Sequence, residues 1–176
     1  QKRIKITIPA DLVRLSPCQR YMAFTYTCDG ISVLDVQNIE DQTIVHTIQS
    51  AEEITSFEFN RDGDKMYYVV ANSHHRSYKV LSHDFRKRNS NAVILEEDDE
   101  TFYLELYRSK DNEILFINSG NRTTSETFLI NESSDQAVVI KRRKEGELFY
   151  PEHNGKYLIA VTNSNHAANL EVVRTD

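Results

Sequence analysis

The stretch FYLELYRSKDNEILFINSGNRTTSE, residues 102–126, decides the fold. Phe102, Leu104 and Leu106 alternate with Tyr103, Glu105 and Tyr107, the two-residue period of a β-strand. Asp111-Asn112 supplies a tight turn, because short Asx side chains tolerate the backbone conformations such turns demand. Ile114 to Ile117 then runs apolar on both faces, as a strand covered on both sides does. A polar loop, residues 119–125, leads toward a third strand, TFLIN.

The same unit recurs along the chain. Turns at Pro17-Cys18, Asp62-Gly63, Asp111-Asn112 and Asn154-Gly155 each join an apolar strand (LVRLS, ITSFEF, FYLELY, LFYPE) to another (YMAFTYT, MYYVV, ILFIN, YLIAVT). A third strand follows each time (ISVLDV, SYKVLS, TFLIN, NLEVV), and a fourth in three cases (TIVHTI, AVILE, AVVIK). Aligning Tyr21, Met66, Ile114 and Tyr157 gives spacings of 45, 48 and 43 residues. A four-stranded unit of about 40–50 residues is the period of a β-propeller blade. The chain therefore reads as all-β, a propeller fragment of nearly four blades over residues 1–176. The blades fall at 11–49, 54–96 and 102–141, with an incomplete one at 147–176. Ile4, Ile6 and Ile8 alternate with polar residues, so 3–8 fits the outer strand of a preceding blade. A sandwich of short strands is the competing architecture, but it does not require this internal repeat. There is no Trp for a Trp-Asp repeat signature and no Gly-Gly pair of the kelch type.

Composition narrows function by exclusion. The formal charge of −6 over 176 residues argues against a nucleic-acid partner. No apolar run approaches the roughly 20 residues that cross a bilayer, and no signal-peptide pattern is visible, so no membrane partner is expected. Cys18 and Cys28 bracket one strand, about 30 Å apart at strand rise, too far for a disulfide, and a reducing cytoplasm is the expected location. Asn121-Arg122-Thr123 and Asn131-Glu132-Ser133 match the glycosylation pattern, a short match that arises often by chance.

Catalytic signatures are missing. The five glycines include no G-x-S-x-G elbow, P-loop or dinucleotide fingerprint. His74, His75, His83 and Asp84 could suggest a metal. However, His75 and His83 bracket one strand at about 25 Å and cannot share an ion, so neither metal nor cofactor is expected. His46 and His153 read as ordinary strand and turn residues, and Tyr67, Tyr68, Phe116 and Phe128 as core. In an up-and-down blade, the loops between strands two and three share a rim with the crossovers to the next blade. That rim carries ANSHHRS (71–77), SGNRTTS (119–125), NSNHAAN (163–169), the acidic run Glu96–Glu100 and the basic run Lys141–Lys144. The charged runs read first as solvated crossovers that could pair across a blade boundary, and second as patches for a partner. Function is expected on this rim, since binding residues gather on loops held by a rigid scaffold.

The segment LEEDDETFYLELYRSKDNEILFINSGNRTTSE (95–126), with RSYKVLSHDF (76–85) upstream and GELFYPEHNGKYLIAVTNSNHAANLEVVRTD (146–176) downstream, resembles the propeller of oligopeptidase B in the prolyl oligopeptidase family of serine peptidases. The match is good over roughly the last 100 residues and weaker before them. Pro151 and Val161-Thr162-Asn163 depart from the family's usual residues there. The resemblance implies a seven-bladed propeller joined to an α/β-hydrolase domain that bears Ser, Asp and His. It also implies short peptides as substrates, cleaved after basic residues. None of that catalytic domain lies in this chain, so no catalytic residue carries over. The polar rim is expected to face the hydrolase domain, with Arg76, Arg122 and His166 affecting peptide entry. The alternative is a noncatalytic interaction module that lacks a hydrolase domain. With fewer than four blades the ring cannot close, so the isolated chain is expected to self-associate.

Overall fold

The computed structural model describes residues 8–87, 90–164 and 169–175. The segment expected as an outer strand at 3–8 therefore lies outside the described residues, except for Ile8. Fifteen strands form four antiparallel sheets in strict chain order among the described residues. The first sheet is β1 (Val13–Leu15), β2 (Tyr21–Cys28), β3 (Ile31–Asn38) and β4 (Ile44–Ser50). The second is β5 (Glu53–Phe59), β6 (Lys65–Ala71), β7 (Ser77–Asp84) and β8 (Ala92–Glu96). The third is β9 (Tyr103–Arg108), β10 (Leu115–Gly120), β11 (Ser125–Asn131) and β12 (Gln136–Lys141). The fourth has three strands, β13 (Phe149–His153), β14 (Leu158–Thr162) and β15 (Glu171–Thr175). The first strands of the first three sheets pack on one another and β13 packs on β11, so the sheets fan out as blades of a partial propeller.

The turn between strands one and two is built the same way in three blades, and its key is a short polar residue. Ser16 accepts the Tyr21 amide on its Oγ (3.0 Å) while its own amide donates to the Tyr21 carbonyl (2.9 Å). Asn60 and Lys65 repeat this at 3.0 and 2.9 Å, and Ser109 and Ile114 at 3.0 and 2.8 Å. Burial of Ser16 and Ser109 (both 1% exposed) is tolerable because each hydroxyl closes its own turn. The residue three places on takes a left-handed backbone: Gln19 (φ 57°), Gly63 (φ 76°) and Asn112 (φ 64°). Gln19 and Asn112 hold this backbone without glycine, whereas at Gly63 a Cβ would meet the Cys18 sulfur at 2.8 Å, so close approach favours glycine there.

This geometry corrects the sequence alignment by one residue. Met22, Met66, Leu115 and Leu158 hold the same register against strand one, opposite Leu15, Phe59, Arg108 and His153. Lys65 rather than Met66 is thus equivalent to Tyr21, and the repeat spacings are 44, 49 and 43 residues. In the first turn the left-handed residue is Gln19, one place beyond Pro17-Cys18. The last third strand starts at Glu171, two residues after the start expected at Asn169. Pro151 sits in β13 opposite Ala160, on the sheet's edge, where a missing N–H is least costly.

Two apolar clusters lie between blades. One joins Ala23, Leu34, Val36 and Ile48 of the first sheet to Ile54, Phe57, Phe59, Met66, Tyr68 and Val70 of the second. The other joins Tyr67, Val69 and Val80 to Leu104, Leu106, Leu115, Ile117, Phe128 and Ile130 of the third. Successive residues of β6 thus serve opposite neighbours, which is why Lys65–Ala71 is buried throughout. Tyr67, Tyr68, Phe116 and Phe128 are all core, at 0, 2, 0 and 8% exposed. Burial pushes the Tyr68 phenol up to about 12.

Candidate functional site: the crossover rim

The loops between strands two and three and the crossovers between blades share one rim, the one expected to be functional. Its central element is a three-way clamp. Glu97, in the acidic crossover, is buried and accepts hydrogen bonds from the Ser119 hydroxyl, the Arg143 guanidinium (2.6 Å) and the Asp99 amide (3.0 Å). Burial alone raises the Glu97 pKa, but Arg143 and Ser119 outweigh it and hold the carboxyl below its usual range. Arg143 also pairs with Glu126 at 2.9 Å and lies 4.1 Å from the centre of the Phe102 ring. The acidic and basic runs thus meet across a blade boundary through one residue of each. The two lysines of the basic run are turned elsewhere: Lys141 and Lys144 bind Glu147 at 3.1 and 2.6 Å. Those two ammonium groups, Lys144 first, bring the Glu147 carboxyl down to about 2.

Arg76 lies on this rim with its guanidinium occupied. Its Nη1 donates to the carbonyls of Glu97, Asp99 and Phe102 at 3.2, 3.1 and 3.2 Å, fastening the crossover 97–102 to the second sheet. Its Nε is buried with no partner among the described residues. Arg122 is exposed at the tip of an Asx turn in which Asn121 Oδ1 accepts the amides of Thr123 and Thr124 at 3.0 and 2.9 Å. His166 lies outside the described residues. The structure brings Arg76 to the crossover and leaves Arg122 on a separate, solvent-facing loop.

Between the first two blades the same rim is open. A groove of about 700 Å³ is lined by residues that include Thr27, Ser32, Glu52, Glu53, Asn72 and His75. It exists because the β2–β3 connection is a two-residue hairpin, Asp29-Gly30, with φ values of 50° and 79°. The longer β6–β7 loop stands above it, with His75 bonded to Glu53 at 2.9 Å. His83 is at the other end of β7, bonded to Asn91 at 2.6 Å, so the two histidines serve opposite rims. Among the described residues, no group of three or more His, Cys, Asp or Glu side chains converges as a metal site. Cys18 and Cys28 are free thiols.

Thr124 and Ser125, where β11 begins, tie the third blade to the fourth. Ser125 donates its amide to the Glu147 carbonyl (2.9 Å) and accepts the Phe149 amide on Oγ (2.7 Å), while Thr124 Oγ1 accepts the Gly146 amide (3.0 Å). Sequence reasoning missed the individual partners Ser119, Glu97 and Arg143. The signal available was a polar end, Asn118-Ser119-Gly120, on an otherwise apolar strand.

Comparison with known proteins settles the lineage. The family described as prolyl oligopeptidase, N-terminal beta-propeller domain, matches residues 10–176. The chain belongs to that family. The human protein called prolyl endopeptidase-like is 29% identical over 172 residues, covering 94% of this chain and 23% of the relative. Protease 2 of Moraxella lacunata is 30% identical over 122 residues, covering 68% of this chain and 18% of the relative. Oligopeptidase B from Leishmania major superposes with a TM-score of 0.80 at 21% identity, over 95% of this chain and 24% of that one. The propeller of the prolyl oligopeptidase family is therefore the fold, and the chain spans about a quarter of the length of these relatives. No helix among the described residues is long and apolar enough to cross a membrane.

Proposed function

We propose that this propeller portion gates a serine peptidase of the oligopeptidase B kind, which cleaves short peptides after basic residues. The observation that carries the reading is the family match over residues 10–176, in relatives about four times longer than this chain. The partner is an α/β-hydrolase domain of the same parent protein, docked on the crossover rim, and the parent works in the cytoplasm. On this reading the chain itself is noncatalytic. Arg76 acts by holding the crossover 97–102 in shape, because its guanidinium is taken up by three carbonyls. Arg122 and His166 act on the passing peptide directly.

The open outer faces favour self-association of the isolated chain. Tyr150, Val161 and Val172 stand 39, 37 and 72% exposed on the fourth sheet, and Val13, Leu15 and Ile44 stand 40, 60 and 46% exposed on the first. Sedimentation of residues 1–176 tests this, with assemblies larger than a monomer expected; a clean monomer contradicts it. The functional reading is tested by peptide kinetics. The isolated chain hydrolyses no arginyl or prolyl peptide, whereas the parent, read through a G-x-S-x-G domain, does. Alanine at Arg76, Arg122 or His166 in the parent changes peptide entry, seen as altered kcat/KM. Unchanged kinetics in all three variants would count against the rim assignment. A parent reading frame with no hydrolase domain would instead favour a noncatalytic interaction module.

A further inference from the structure

His46 in the outermost strand of the first blade lies flat against Phe85, which follows the third strand of the second blade. The ring centroids are 4.3 Å apart and the planes 11° from parallel. Phe85 packs against the apolar cluster that joins these blades, so the stack is the outer end of that joint. His83 flanks the same phenyl ring at 5.6 Å. Two imidazoles from different sheets therefore share one aromatic ring.

The surroundings offer His46 little to stabilise a positive charge. Among the described residues its imidazole makes no hydrogen bond and no ion pair, and its opposite number in the sheet, on β3, is Val36. From the second sheet it faces Phe85 and His83, and the Nδ1 of His83 already bonds to Asn91. The carboxylates nearest Phe85 in the fold are committed elsewhere: Asp84 to Arg86 and Lys87, and Asp64 to Arg86. Protonating His46 thus places a charge in a half-buried stack beside a second imidazole. A cation over a phenyl face recovers only part of that cost. Burial first, then His83, pushes the His46 pKa down.

We propose that the joint between the first and second blades is a pH-sensitive joint, closed while His46 is neutral and loosened when it is protonated. The sign follows from linkage. A histidine with a folded pKa below its unfolded value leaves stability whole above the unfolded pKa, about 6.5. That stability is lost as pH falls from there through the folded pKa. The device is separate from the peptidase reading and stands or falls independently of it.

The test uses the whole chain, residues 1–176, in two readouts that tolerate self-association. Exchange of the imidazole C2 hydrogens, followed by mass spectrometry across pH, gives the midpoint for His46. Amide exchange at pH 7.5 and 5.5 reports the joint. The expected midpoint lies below 6.5, and acidification lowers amide protection, corrected for the pH dependence of intrinsic exchange, several-fold more in 44–48 and 83–87 than in 115–120. His46→Phe keeps a flat ring on Phe85 and removes the charge, so its pH-dependent difference disappears. His83→Gln, a second variant, raises the His46 midpoint toward 6.5. A His46 midpoint at or above 6.5, or the same acid response in His46→Phe, overturns the proposal.

Discussion

The blades are joined in two different ways, and the contrast shows where this propeller is strong. The first three sheets are cemented by apolar clusters that run from blade to blade, with Phe57, Phe59 and Tyr67 at or below 1% exposure. Neither cluster contains a residue of the fourth sheet. The third and fourth sheets are instead stitched by hydrogen bonds. Thr127 Oγ1 donates to the Phe149 carbonyl (3.1 Å), the Tyr107 hydroxyl to the Pro151 carbonyl (3.1 Å), and the Lys110 amide to Glu152 (2.9 Å). His153 meets Asp111 at 2.6 Å on the far rim. Apolar contact resists water without regard to direction, whereas a net hydrogen bond contributes only about 0.5–1.5 kcal/mol and depends on its geometry. The two kinds of joint should therefore fail differently.

The largest effect is expected from the apolar joint. Phe57→Ala removes a fully buried ring between the first two sheets, and a cost of about 3–5 kcal/mol is expected. Denaturant unfolding should show it as a lower midpoint for the first three sheets together. A loss below 1 kcal/mol would mean that the cluster is not the cement. Next comes the clamp on the crossover rim. Arg143→Ala leaves Glu97 buried beside Ser119 without its cation, costing about 1.5–3 kcal/mol, the range for hydrogen bonds to charged groups. Arg143→Lys should restore only part of this, since one ammonium cannot reach both Glu97 and Glu126 as the fork does.

Smaller still is the stitched joint. Ser125→Ala removes the hydroxyl that serves Phe149 and should cost about 1 kcal/mol. Its signature is local: amide exchange in 149–162 accelerates while that in 54–70 does not. Equal acceleration in both would erase the contrast between joints. The smallest effect is electrostatic. The Ser109 hydroxyl, with help from His153, holds the Asp111 carboxyl at about 2, so its stabilising share is whole above its ordinary value near 4. That share fades as pH falls toward 2. Asp111→Asn should therefore flatten the acid limb of a melting-temperature profile between pH 4 and pH 2, and an unchanged limb would remove this pair from the account.

Much of the fold was legible because the residues that make it are periodic. Alternation in 102–107 and the unbroken apolar run at 114–117 specify strand type, and their recurrence specifies blades. The one-residue slip at Met66 arose because the apolar strand MYYVV starts after Lys65, a charged residue whose stem is buried and whose ammonium reaches Asp135 at 2.5 Å. Hydropathy reads that lysine as loop, and only the tertiary partner reveals it as strand. The rim was legible at the level of loops, since topology alone assigns them. Its pairings were not, because Glu97, Ser119 and Arg143 come from three segments and meet only after the blades have packed. Likewise Arg76 reads as a rim cation in sequence, yet its Nη1 is taken up by three main-chain carbonyls that no side-chain pattern announces.

The central claim, that this propeller gates a peptidase, is tested most directly by one rate ratio in the parent protein. A short peptide with a single arginine is compared with the same sequence held within a folded domain. The account expects rapid cleavage of the free peptide, little of the embedded one, and a smaller difference when Arg76→Ala loosens the crossover 97–102. Equal cleavage of both substrates by the unaltered protein would contradict it.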